Sequence, residues 1–102
     1  MFVVISTYRN SIEEVLPLER AHIAWVTQGY ASGRILVSGP RVPLNGGVIV
    51  VHGDDLADVE EFMSGDPFVA GDVVGYEIFE FDATDFPNRS AAFDSFIGQV
   101  GV

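Results

Sequence analysis

The sequence predicts an α+β domain in the order β-α-β-β-α-β, the split βαβ or ferredoxin-like arrangement, with one sheet and two helices on one face. Three observations carry this. Four short stretches rich in β-branched and aromatic residues alternate with two stretches of helical spacing in that order. The chain has 102 residues, which suits a single domain. Its 48% hydrophobic content, with eight Phe, three Tyr and one Trp, is enough for a sizeable core and argues against disorder.

Phe2 to Tyr8 reads as the first strand. Asn10 to Leu16 reads as a polar connection, and Pro17 as a helix start, where its missing N–H costs nothing. Leu18 to Ser32 carries helical spacing, and Gly33 is placed to end that helix in a left-handed conformation. Arg34 to Val42 reads as a second strand interrupted by Gly39-Pro40, Asn45-Gly46-Gly47 as a tight turn, and Val48 to Gly53 as the third strand. Asp54 or Asp55 is placed to cap a second helix ending near Met63. The stretch S-G-D-P-F-V-A-G, Ser64 to Gly71, follows, and Val73 to Phe81 reads as the fourth strand. These elements make residues 1–83 the domain and 84–102 a tail. In the tail, Ser90 is placed to cap a short helix with Phe93, Phe96, Ile97 and Val100 at helical spacing, packing on its own domain or on a partner subunit.

Strands with one wet face alternate apolar and polar residues. Phe2-Val3-Val4-Ile5 and Val48-Ile49-Val50-Val51 are apolar at every position. The helices of a split βαβ unit cover one face, and the chain has no second sheet for the other. The expectation is a homodimer, sheet against sheet. The plainer alternative is that short hydrophobic strands are simply generous with Val and Ile.

Fifteen Asp and Glu stand against five Arg and no Lys, a net charge of −10. Such a surface repels phosphate backbones and anionic membranes, so neither nucleic acid nor membrane is an expected partner. Apolar runs such as Val48 to Val51 are far too short to span a bilayer. The opening M-F-V-V-I-S-T-Y-R lacks the basic and long apolar regions of a signal peptide. The chain has no cysteine, which excludes disulfides and thiolate metal sites, and these features fit a cytoplasmic protein. Asn88-Arg89-Ser90 matches a glycosylation sequon and is read as accidental. No phosphate-binding loop or dinucleotide fingerprint appears, and no cofactor is expected.

Two residues carry the chemistry. Asp66 precedes Pro67 and is a favoured helix N-cap, its simplest role. Leu18, His22, Trp25, Val26 and Gly29 share one helix stripe that should face the sheet. A lone His on such a stripe is most simply a hydrogen-bonded core residue. It is also the side chain best suited to take and give protons near neutrality. With Asp66 beside it, the carboxylate would fix the His22 tautomer, stabilise the protonated ring and leave the other nitrogen as a base. The 43 residues between them do not establish that contact. A metal site using His22 or His52 with carboxylates is the weaker alternative, since two His and no Cys leave few transition-metal ligands. His52, before Gly53-Asp54-Asp55, suits a solvent-facing structural role.

Three segments go further: R-A-H-I-A-W at 20–25, S-G-R-I-L-V-S-G-P at 32–40 and G-D-P-F-V-A-G-D-V at 65–73. Together they resemble the YCII-related (YciI-like) family over residues 1–83, with the tail outside. The resemblance implies a ferredoxin-like dimeric α+β barrel whose pocket holds a His–Asp pair held to be catalytic, here His22 and Asp66. It also implies Ser38 near that pocket. One similar branch includes a dehydrochlorinase of chlorinated hydroxyquinol breakdown, and related barrels include muconolactone isomerases of aromatic catabolism. The expected function is therefore a cofactor-free lyase that eliminates HCl from a chlorinated hydroxyquinol-type aromatic to give a hydroxyquinone. The alternatives are an isomerase of aromatic catabolism and a dimeric small-molecule-binding or sensing module without turnover. In the leading expectation His22 is the base and Asp66 orients it, starting the helix with one oxygen and facing His22 with the other. Ser38 bonds a ring oxygen, and Arg41 stabilises developing negative charge. Trp25 and Phe68, with Phe2 or Tyr8, line the pocket, although core packing is the simpler role for each aromatic.

Overall fold

The structure, a computed structural model, describes residues 1–83 and 90–99. Strands β1 (Phe2–Tyr8), β2 (Ile35–Pro40), β3 (Gly47–Val51) and β4 (Val74–Glu80) form one antiparallel sheet in the order β2-β3-β1-β4. Helix α1 (Ile12–Ala31) joins β1 to β2, and α2 (Leu56–Ser64) with the short α3 (Pro67–Ala70) joins β3 to β4. This is the ferredoxin-like order that the sequence predicts. Helix α4 (Ala91–Gln99) follows, with Ser90 Oγ accepting from the Phe93 N–H at 3.0 Å. Asn88 and Arg89 of the sequon, and Val100, lie outside the described residues. Among the described residues no helix is long and apolar enough to cross a membrane.

Helix α1 begins at Ile12, not at Pro17. The Ser11 carbonyl accepts from the N–H groups of Glu14 and Val15, and Glu13 and Glu14 place negative charge at the positive helix end. Pro17 sits inside the helix and leaves the Glu13 carbonyl without its usual i+4 donor. Burial outweighs that loss. Val15 is 2% exposed and packs with Phe68, Val73 and Val74. The spacing Ile12, Val15, Leu16 is itself helical, a signal that the proline obscures. Further along, Leu18, His22, Trp25 and Val26 are half-buried and Gly29 is buried, so this stripe faces inward as its spacing predicts.

The sheet has two apolar faces. On the inner face Phe2, Val4, Ile35, Ile49 and Val51 pack with Val59 and Met63 of α2. On the outer face, Val3 stands opposite Val50 and Phe79, and Val37 opposite Val50. Ile5 and Val48 form the next pair. Helices α1 to α3 leave this face uncovered, with Val37 53% and Phe79 50% exposed.

Strand β2 contains a bulge. Ile35 pairs with Val51 and Val37 with Val50, so one residue is skipped between them. Strict alternation would place Ile35 and Val37 on one face and Ser38 on the other. The bulge reverses this, pairing Ser38 with Ile49 on the inner face and sending Val37 outward. The strand stops at Pro40, and residues 41–46 form a longer connection than the tight turn expected. Its end is seated by Gly46, at φ +154°, where an added Cβ would run into the Ser6 carbonyl. Gly46→Ala is expected to cost about 1–3 kcal/mol, since only glycine tolerates that backbone region. Thermal denaturation should show Tm falling by roughly 5–20 °C. An unchanged Tm would mean that the loop relaxes freely.

Candidate active site

A cavity of about 580 Å³ lies between α1 and the inner face of the sheet, with Asp66 and Phe68 contributed from the start of α3. Its walls are mainly apolar, including Val4, Val15, Val26 and Ile49, and a few polar groups interrupt them. That is the usual character of a small-molecule site.

Local chain chemistry sets the position of Asp66. Its Oδ1 accepts from the Phe68 N–H at 3.0 Å, capping α3 ahead of Pro67. Its own N–H donates to the Met63 carbonyl, and its carbonyl accepts from Val69 and Ala70. The residue is 3% exposed. The same Oδ1 lies 2.7 Å from His22 Nδ1. One oxygen therefore serves both the cap and the histidine, instead of one oxygen for each. A carboxylate only accepts, so Nδ1 carries the hydrogen, and in the neutral ring Nε2 keeps its lone pair. Among the described residues Nε2 has no hydrogen-bond partner. The Phe68 ring stacks on the imidazole at 4.0 Å and 9°. The ring is thus held through one edge and one face.

Tyr8 lines the same end of the cavity and meets Phe68 edge-on at 6.3 Å. Burial, and then the nearby Glu19 charge, push its phenol pKa up from the ordinary value. Tyr8 therefore stays a hydrogen-bond donor through neutral pH. Glu19 itself lines the cavity one turn before His22. Glu19 and Asp66 put two carboxylates at this site, and neither Arg nor Lys is among its lining residues.

Toward the other end, Ser38 Oγ lies 2.5 Å from Tyr30 Oη, and both residues line the cavity. Sequence reasoning missed Tyr30, although it lies eight residues from His22 and so on nearly the same helix face. Of the residues singled out from the sequence, Tyr8, His22, Ser38, Asp66 and Phe68 line this cavity, whereas Phe2, Trp25 and Arg41 do not.

Trp25 and Arg41 do not line the cavity. The Trp25 ring packs against Phe62 at 4.8 Å, between α1 and α2, and lies 6.1 Å from the His22 imidazole at 30°. Arg41 Nη1 donates to Thr7 Oγ1 at 2.9 Å and to the Ser6 carbonyl at 3.3 Å. Thr7 belongs to the outer-face register, so the guanidinium is drawn away from the cavity. Phe2 is fully buried in the core. His52 is outside the cavity. Its backbone is bound to Arg34, and burial, followed by the Arg34 charge, lowers its ring pKa. Among the described residues no three His, Asp or Glu side chains converge as metal ligands would.

The family profile described as the YCII-related domain matches residues 1–82. No curated protein matches the chain in sequence. Among solved structures the chain is similar to the 5-chloro-2-hydroxyhydroquinone dehydrochlorinase TftG from Burkholderia phenoliruptrix AC1100, in complex with 2,5-dihydroxybenzoquinone. The TM-score is 0.67 at 18% identity, over 80% of this chain and 94% of that one.

Proposed function

The chain belongs to the YCII-related family, and from that premise we propose that it is a cofactor-free lyase that eliminates HCl from a chlorinated hydroxyquinol-type ring. The observation that carries the proposal is the His22 Nδ1 to Asp66 Oδ1 contact at 2.7 Å inside an apolar cavity of ring-accommodating size. The likeness to a dehydrochlorinase holding a dihydroxybenzoquinone supports the same chemistry.

In this reading Nε2 of His22 takes the proton of one ring hydroxyl. The O–H electron pair becomes a carbonyl, and the ring accepts a proton at the chlorine-bearing carbon, which becomes tetrahedral. A second hydroxyl, conjugated to that carbon, then gives up its proton. Its electron pair moves through the ring and expels chloride. Two hydroxyl protons leave and one is returned to carbon, so the net loss is HCl and no external oxidant is needed. Asp66 holds the imidazole in the required tautomer and lies opposite its positive charge at each proton transfer. Tyr8 donates to a ring oxygen. Two carboxylates with no facing Arg or Lys suit a neutral phenol and disfavour a substrate that carries its own carboxylate. This argues against a lactone-acid isomerase.

The test is chloride release from a panel of chlorinated hydroxyquinols. Release that disappears on substitution of His22 supports the proposal. Tight binding of hydroxyquinones without any release would instead make the cavity that of a binding module.

The proposed protein is also a homodimer, joined through the outer face of the sheet. Val3, Ile5, Val37, Val48, Val50 and Phe79 form an apolar surface there that α1 to α3 do not cover, and a second sheet is the natural cover. Val50→Glu, at the centre of this face, should convert the dimer to monomer by buried-charge cost. Light scattering on both proteins checks it, and a monomeric wild type would overturn it.

A further inference from the structure

The cavity has a second polar end that the elimination chemistry leaves unused. Tyr30 comes eight residues after His22 on α1, which separates their Cα atoms by about 12 Å along the helix axis. On the sheet side, Ser38 shares its row with Ile49 and Val4. Tyr8, at the His22 end, is four residues further along β1, about 13 Å away. Helix and sheet thus give the same span between the two polar ends.

The Tyr30–Ser38 bond is 2.5 Å long, and the bulge in β2 is what turns Ser38 toward it. Each hydroxyl has one hydrogen to donate and two lone pairs. Their mutual bond uses one hydrogen, so whichever residue donates it, the pair still offers one donor. Between the two ends the lining is mainly apolar, and its two hydroxyls, Ser6 and Thr27, already give their hydrogens to the Gly47 and Ile23 carbonyls, so a ligand oxygen placed there would lose its hydrogen bonds.

We propose that Tyr30 and Ser38 form a second ligand anchor, opposite His22, that takes the far oxygen of the ring and selects para-dioxygenated ligands over ortho and meta isomers. The proposal rests on the ring-binding reading above. Tyr30 is its new element, a specificity-determining residue.

Binding of hydroquinone, resorcinol and catechol to wild type, Tyr30→Phe and Ser38→Ala, measured by calorimetry, tests it. The wild type should bind the para isomer roughly five- to tenfold tighter than the other two, the worth of one net hydrogen bond. Each substitution should shrink that ratio, because the hydroxyl that remains loses the partner that aims it, and the double variant should erase it. A structural tie between α1 and β2 would change Tm and leave the isomer ratio as it was. An unchanged ratio in Tyr30→Phe overturns the anchor, as does the absence of any ratio in the wild type. Chloride release is read separately on the same proteins. Release without an isomer ratio overturns the anchor and leaves the elimination reading standing. A ratio that depends on Tyr30 without release supports the anchor and overturns the elimination reading.

Discussion

Asp66→Asn is expected to lower chloride release by about 10²–10⁴-fold while leaving the fold nearly as stable as before. Asn and Asp are comparable helix caps, so an amide oxygen can still accept from the Phe68 N–H. What the amide cannot supply is negative charge beside an imidazolium. Its NH₂ group also allows a tautomer in which the wrong ring nitrogen carries the hydrogen. Asp66→Ala should behave differently. It removes the cap, worth about 1 kcal/mol, and strands the Nδ1–H of a mostly buried His22, at about 1–3 kcal/mol. Its Tm should fall by roughly 10 °C or more. Measuring Tm and turnover on both variants separates the two duties of one oxygen atom. Full activity in Asp66→Asn would reduce Asp66 to a cap.

His22→Ala should reduce kcat/KM by at least about 10²-fold, the lower range for a positioned base. Because the imidazole stacks on Phe68 at 4.0 Å, its removal leaves a ring-shaped gap beside the Asp66 carboxylate. Free imidazole should therefore bind there and restore part of the activity. Rescue would distinguish lost proton transfer from a collapsed site, since a collapsed site gives added imidazole nothing to occupy. Undiminished turnover in His22→Ala would overturn the assignment of the base.

The two sides of the sequence reading have different physical origins. Local pattern was enough for the order of strands and helices, the Asp66-Pro67 helix start and the inward stripe with His22 and Gly29. Each depends on a backbone period or a cap whose range is three or four residues. The run of apolar residues in β1 and β3 likewise announces a sheet with two apolar faces. Helix α1 starts before Pro17 because the burial of Val15 outweighs the proline's preference for a helix start. Trp25 and Arg41 suit a pocket by residue type alone. Type does not say which neighbour a long side chain will choose, and contacts with Phe62 and Thr7 keep them off the cavity wall.

What the sequence by itself determined is a split βαβ domain with an ionisable group on its inward helix face and a carboxylate at a helix start. Only the tertiary structure decided that these two groups meet at 2.7 Å, that one carboxylate oxygen serves both contacts, and that a bulge turns Ser38 to Tyr30. The reason is that local periodicity records the faces of each element, whereas a contact between distant residues depends on the register and packing of all the elements together.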